Sequence, residues 1–390
     1  MTNSAESNEI VMFERDVHSG MLKYVQKVST GGLGGRLGLA DGSQASFTNP
    51  LSSTNAIIVA GKCLLAVNTG SNTISSFHIG SDGRLARADE QSTGGEFPVS
   101  LAESEGLVYV INAGLDGSLS GFNLLQYSCS LSPIADSTID LELDTGLTSG
   151  EPPFLGATPS QISVSPEGHF IVSVKGFGND NPTGSGSILT YSVHTSSGKL
   201  IEVKDQGLSD STAPFSFDIT SDGILLLTEA FGNQAPGTAG AGAISIVGDN
   251  GLEERIGTTQ TATCWLEYSE TTGCIFTTNT DDFSMSSALL KDDNKLELKC
   301  AVLDELGGPI DLILSPDYKY LYVIANNNAN AEGNENGMPT IYAYDATSCY
   351  CDVTQIQSIR DGLPTEFTSS GDLTPGYNGI AGIAVWQSQI

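Results

Sequence analysis

Basic side chains are scarce in this chain: 16 Lys and Arg stand against 46 Asp and Glu in 390 residues, a formal charge of −30. That shortage excludes a phosphate-binding surface built from clustered cations, and with it nucleic acid or an anionic membrane as partner. No run approaches the roughly 18 consecutive apolar residues of a membrane-spanning helix. Charged residues are few overall, at 16%, while apolar ones reach 39%. A disordered chain, which pairs high charge with few apolar residues, is therefore excluded as well. Histidine is limited to His18, His78, His169 and His194. There is no Gly-x-Ser-x-Gly elbow, no Cys-x-x-Cys pair and no Asn-x-Ser/Thr acceptor. Ser-hydrolase chemistry, a zinc site and a heavily glycosylated surface thus have no support here. The glycine-rich run at 31–36 lacks the spacing and following helix of a phosphate loop, and reads as a flexible loop.

Glycine is plentiful, 45 residues, and Val, Ile, Ser and Thr are common, which favours many short strands joined by turns. Seven cysteines cannot all pair within one chain. Cys349 and Cys351, one residue apart, do not suit each other as a disulfide. Buried thiols are the expected state, with one bridge plus free thiols as the alternative. The acidic, lysine-poor surface points to a secreted protein, with the cytoplasm as the alternative.

A repeat runs through the whole chain. An apolar strand opened by proline (Pro98, Pro159, Pro214, Pro309) leads through a short turn into a second apolar run, such as Leu107-Val108-Tyr109-Val110-Ile111 or Tyr320-Leu321-Tyr322-Val323-Ile324. A polar loop and an alternating third strand follow, for example Thr73-Ile74-Ser75-Ser76-Phe77. The polar residues ending the second strands are Asn68, Asn112, Lys175, Glu229, Asn279 and Asn326, which lie 44, 63, 54, 50 and 47 residues apart. That is the period of four-stranded propeller blades carrying loop insertions. The expected fold is one all-β domain over 1–390, a seven-bladed β-propeller of four-stranded antiparallel blades. Six copies fall at about 53–360. The seventh is expected to combine strands at 8–15 and 22–29 with a first strand at 379–386, closing the ring and leaving no open sheet edge. The second strand of that blade would fall at or before Met1, so a trimmed N-terminus is expected.

These copies resemble the seven-bladed lactonase propeller family, which includes 6-phosphogluconolactonase-type hydrolases and 3-carboxymuconate cyclase-type lactonizing enzymes. The resemblance rests on Val67-Asn68-Thr69-Gly70-Ser71-Asn72-Thr73-Ile74-Ser75-Ser76-Phe77, on Pro98-Val99-Ser100 and on Leu107-Val108-Tyr109-Val110-Ile111-Asn112-Ala113-Gly114. It implies a site where the channel opens on the rim of second-to-third-strand loops. Lactonases of this family carry His or Arg-His after the blade-opening proline. Here the matching positions are Ser160-Gln161, Phe215-Ser216 and Ile310-Asp311, so the imidazole acid or base is missing.

Lys175 and Glu229 end second strands in neighbouring blades and are the candidate catalytic pair, Glu229 as acid or base and Lys175 holding or polarising a carboxylate. An ion pair stapling the two blades is the structural alternative. Candidate substrate-binding residues are Asn68, Asn112, Gln161, Trp265, Asn279, Asp311 and Asn326. Trp265 suits either a stacking platform or core packing, and the asparagines suit either ligand bonding or strand capping. Long rim insertions at 29–50, 148–158, 176–186, 230–242 and 326–339 are the expected binding loops. Residues 328–333 resemble the start of a calcium loop, but Pro339 stands where the closing acid belongs, and neither metal nor cofactor is expected. Two functions remain open. One is a lactonase or cycloisomerase acting on a small lactone or muconate-type acid, an uncharged lactone suiting the acidic surface best. The other is a secreted, non-catalytic propeller, an adhesin or surface antigen that binds carbohydrate or protein. A monomer is expected.

Overall fold

Runs of five or six apolar residues, closed by Gly- and Asp-rich turns, fold as short antiparallel strands because each such run can be buried on both faces of a stacked sheet. A computed structural model describes all residues except 37–48, 144, 146–147, 151–152, 154–155, 178–183, 236, 327–337, 365–378 and 388–390. The chain is an all-β propeller. Among the described residues there are six blades, here I (57–92), II (98–140), III (159–208), IV (214–257), V (263–305) and VI (309–359). Each pairs its strands in sequence order, first to fourth, and in blade II the fourth strand is split into Ser130–Pro133 and Ile139–Asp140. The opening prolines Pro98, Pro159, Pro214 and Pro309 are the first residues of first strands. The second strands, such as Cys63–Asn68 and Leu107–Asn112, are buried almost throughout.

The inner strands share a local irregularity. In blades II to VI the register slips near the start of the first strand, between Pro98 and Ser100, Pro159 and Gln161, Pro214 and Phe217, Thr263 and Leu266, and Ile310 and Leu312. A bulge re-aims the side chains beside it, and Gln161, Trp265 and Asp311 all sit at these bulges. Asp311 takes a positive φ of 31° there.

Side chains at the bulges and further along the strands stitch each blade to the next. Ser100 Oγ accepts from Ile162 N–H (3.0 Å). The Gln161 amide donates to Phe217 O (2.8 Å) and accepts from Phe217 N–H (2.7 Å). Asp218 accepts from Tyr268 N–H (3.2 Å), and Glu267 from Leu314 N–H (3.1 Å). Asp311 accepts from Ile383 N–H (3.2 Å). The collar thus runs from blade II to the C-terminal segment. Burial, with Glu270 adding to it, pushes the Asp218 carboxyl up to about 6. Burial and the Asp218 charge hold Glu267 well above the carboxylate range.

Cysteine pairing departs from expectation. Three disulfides form, Cys63–Cys129, Cys274–Cys349 and Cys300–Cys351, leaving Cys264 as a buried thiol. Each joins one blade to the turn between third and fourth strands of the following blade. Cys349 and Cys351 are too close for each other, yet each faces a different strand of blade V. Cys63–Cys129 and Cys274–Cys349 are repeats of one design. In both, a third-strand serine, Ser76 or Ser287, donates to the carbonyl of the turn cysteine. Partners 51 to 75 residues apart are invisible to local spacing.

The closing sheet also differs. Among the described residues β1 (Glu9–Arg15) pairs only with β2 (Leu22–Ser29). Residues 379–386, expected as the first strand of the same blade, form no ladder with that sheet. Their backbone meets Met1: Ala381 N–H donates to Met1 O (3.2 Å), and the Met1 amine donates to Ala381 O (3.1 Å) and Gly382 O (3.2 Å). Gly382, at a φ of +74°, lies so close to blade I that a Cβ would stand 2.8 Å from the Ile57 side chain. The segment therefore occupies the inner lane between blades VI and I.

Candidate functional site at the channel mouth

The polar residues that close the second strands have one structural job in common. Asn68 Nδ2 donates to Thr73 Oγ1 (3.0 Å) and Ser75 Oγ (2.8 Å). Asn112 reaches Ser118 and Ser120 (3.2 and 3.1 Å), and Asn279 reaches Ser284 and Ser286 (3.1 and 2.7 Å). Each is a fully buried clasp between second and third strands. Buried amides need such partners, and these serines supply them. Glu229 occupies the same register. Its carboxylate accepts from Ser245, the third residue of its third strand, and from Arg255 Nε at 2.8 Å and Nη2 at 2.5 Å.

The expected Lys175–Glu229 pair therefore does not form: Glu229 is committed to Arg255, on the fourth strand of its own blade. Lys175 differs because the third residue of its third strand is Ile188, which offers no acceptor. Its side chain turns instead to the channel, where Nζ donates to Ser52 O (2.9 Å) and Ser52 Oγ (2.8 Å) and lies 5.3 Å from the Phe215 ring centre. Burial lowers the Lys175 ammonium to about 7. Asn326 is diverted too: its amide brackets Ile380, donating to Ile380 O (2.9 Å) and accepting from Ile380 N–H (2.7 Å).

Residues 51–54 fill the channel mouth. Ser53 Oγ donates to Val99 O in blade II (2.9 Å), and Thr54 N–H to Ser160 O in blade III (3.0 Å). Trp265 Nε1 in blade V donates to Ser53 O (3.0 Å), with the ring edge-on to Phe215 of blade IV at 4.8 Å between centroids. Thr54 Oγ1 lies 3.5 Å from Asp311 Oδ1 in blade VI. One short segment thus touches four other blades directly. All four of its residues are buried, as are Lys175, Trp265 and Asp311. Ser52 takes a φ of +47°, an unusual conformation that the surrounding contacts hold in place. Burial raises the Asp311 carboxyl to about 7.

Trp265 is thus an anchor in the core rather than an open stacking face, and Gln161 belongs to the collar. The stopper at 51–54 was not singled out by sequence. Its only signal, Pro50 followed by Leu-Ser-Ser-Thr, is indistinguishable from an ordinary loop. The clasps were legible in principle, since a serine two residues into the third strand accompanies Asn68, Asn112, Glu229 and Asn279. Among the described residues no group of three or more His, Cys, Asp or Glu is placed to hold a metal. The calcium-like segment at 328–333 lies outside the described residues, as does much of the rim insertions at 29–50 and 326–339.

The fold and its mouth can be set against known proteins. Residues 6–138, about a third of the chain, match the family model described as a lactonase, 7-bladed beta-propeller. A candidate 6-phosphogluconolactonase from Bacteroides uniformis aligns over 91% of this chain and 92% of its own, at 15% identity and a TM-score of 0.61. A protein from Lactobacillus plantarum aligns over 95% and 97%, at 14% identity and a TM-score of 0.62. The periplasmic gluconolactonase of Pseudomonas aeruginosa aligns over 92% and 98%, at 14% identity and a TM-score of 0.55. The chain therefore has a lactonase-like propeller fold. No curated protein matches it in sequence.

Proposed function

We propose that this lactonase-like propeller acts as a secreted binding module, and that its rim, rather than its channel, meets the partner. The carrying observation is the stopper: residues 51–54 occupy the place where a small lactone would enter, and the polar groups around it are bonded within the protein. Fold does not confer activity when the site is filled. The three blade-to-blade disulfides suit an oxidising compartment, which supports secretion. A charge of −30 attracts cationic protein surfaces, repels anionic partners and leaves neutral carbohydrate unopposed.

A second reading is a lactone-opening enzyme, favoured by Lys175 and Asp311, two buried groups titrating near 7 that face the same short segment. With that segment withdrawn, Asp311 would take the proton of a water attacking the lactone carbonyl. Lys175 would polarise the carbonyl oxygen and protonate the departing ring oxygen. Ultraviolet assays over a lactone and muconate panel decide between the two, using the wild type, Lys175→Ala and Asp311→Asn. The binding-module reading expects no turnover above buffer. Turnover by the wild type that both substitutions abolish would overturn it.

A further inference from the structure

A buried hydroxyl or amide would anchor the stopper at lower cost than a buried amine, which must give up either its charge or its hydration. The chain nevertheless uses Lys175, the one buried lysine among the described residues. What it holds is unusual too. Ser52 is the one serine at positive φ among the described residues, at +47°. Lys175 Nζ stands 2.8 Å from Ser52 Oγ and 2.9 Å from Ser52 O.

Burial leaves a large share of that amine neutral at pH 7, and a neutral amine accepts a proton where an ammonium cannot. Its lone pair then takes the Ser52 hydroxyl hydrogen, while an N–H keeps the bond to Ser52 O. A serine hydroxyl paired with a desolvated lysine is a nucleophile beside its base. Residues 51–54 are all buried, so the acyl groups within reach of the hydroxyl are those of the chain itself. The nearest along the chain is the Leu51 carbonyl, joined to Ser52 through the peptide nitrogen. The left-handed turn strains this position, and its flanks are tied. Ser52 N–H donates to Asn49 Oδ1 (2.9 Å), while Ser53 and Thr54 are bonded to blades II and III. Breaking the peptide before Ser52 releases the turn.

We infer that the Leu51–Ser52 bond is a self-cleavage site, with Ser52 as nucleophile and Lys175 as base. Ser52 Oγ attacks the Leu51 carbonyl carbon as its proton passes to Nζ. The tetrahedral centre collapses by losing the Ser52 nitrogen, which takes that proton back from Nζ, and the peptide becomes an ester. Water then hydrolyses the ester to a Leu51 carboxylate and a restored Ser52 hydroxyl, the released proton going to the free Ser52 amine. The two pieces stay together, because the shorter one carries the β1–β2 sheet, which is bonded to its neighbours. Leu22 N–H donates to Gln357 Oε1 (2.7 Å), and Gln26 Nε2 to Leu85 O (2.7 Å). Cleavage thus leaves a nicked propeller whose stopper begins with an amine at the channel mouth.

The test incubates the purified 390-residue protein at pH 6 and at pH 9 and follows mass under denaturing conditions. Two chains, 1–51 and 52–390, are expected, with masses that add to the whole plus one water and with Ser52 as a new N-terminus. The rate should rise about tenfold between the two pH values, tracking the neutral amine. Hydroxylamine, which attacks esters, should speed the reaction and leave a hydroxamate on Leu51. Ser52→Cys keeps a nucleophile and should still cleave, whereas Ser52→Ala should stay whole. Lys175→Met should cleave roughly a hundredfold more slowly, with an unchanged far-ultraviolet spectrum. That pattern supports the inference. A wild-type chain that stays whole at both pH values would overturn it, as would cleavage of Ser52→Ala or Lys175→Met at the wild-type rate.

Discussion

Replacing Lys175 by methionine separates a buried amine from the stopper it holds. The amine is fully buried and titrates near 7 instead of 10.5 because burial disfavours its charge. Between those two values the unfolded chain binds a proton that the native protein does not, so stability rises with pH across that window. At about 1.36 kcal/mol per pH unit, the rise amounts to roughly 4 kcal/mol between pH 7 and 10. Below pH 7 the penalty is fully present and constant. The wild type should therefore gain stability from pH 7 to 10, and Lys175→Met should lose that slope. Urea unfolding at fixed ionic strength, read as the wild-type minus variant difference at each pH, isolates this group from the other titrating residues. A flat difference curve would refute the burial of Lys175 against Ser52.

Asp311 predicts the opposite limb. Its carboxyl is raised from 3.8 to about 7, so the native state holds the extra proton in that window and stability falls as pH rises through it; Asp311→Asn should flatten this limb, read by the same unfolding series. Arg255→Ala leaves the buried Glu229 carboxylate without its cation, which costs about 3 kcal/mol in thermal or urea unfolding. Asn279→Ala orphans the Ser284 and Ser286 contacts and should cost about 1–3 kcal/mol, with Ser286→Ala adding less in the double variant than alone. Removing the Cys63–Cys129 bridge, which spans 66 residues, should lower stability by about 3–4 kcal/mol without changing the far-ultraviolet spectrum.

The blades were legible because each is local. The Pro-led strands, the apolar second strands and the turns between them fall within about 50 residues, and the strand that opens at Pro159 or Pro309 is readable from its own side chains. What escaped depends on contacts between blades. Cys63 and Cys129 meet only once blades I and II stack. The role of Lys175 turns on Ile188 denying it a partner, and on a serine 123 residues away supplying one. Glu229 and Lys175 looked alike in the repeat, and a single fourth-strand arginine divides them. Ring closure was read in part: the two termini meet through Met1, Ala381 and Gly382, but residues 379–386 form no ladder with β1 and β2. The apolar pattern at 379–386 marks an inner segment, but pattern alone does not tell that it bonds Met1 rather than a neighbouring strand.

The most direct measurement is amide exchange at residues 52–54 in the intact protein. A stoppered channel predicts that the Thr54 amide, bonded to Ser160 O, exchanges as slowly as the strands around it, and that Lys175→Ala speeds exchange at Ser52 and Ser53. Loop-like exchange at Thr54 in the wild type would contradict the stopper and reopen the channel as a site.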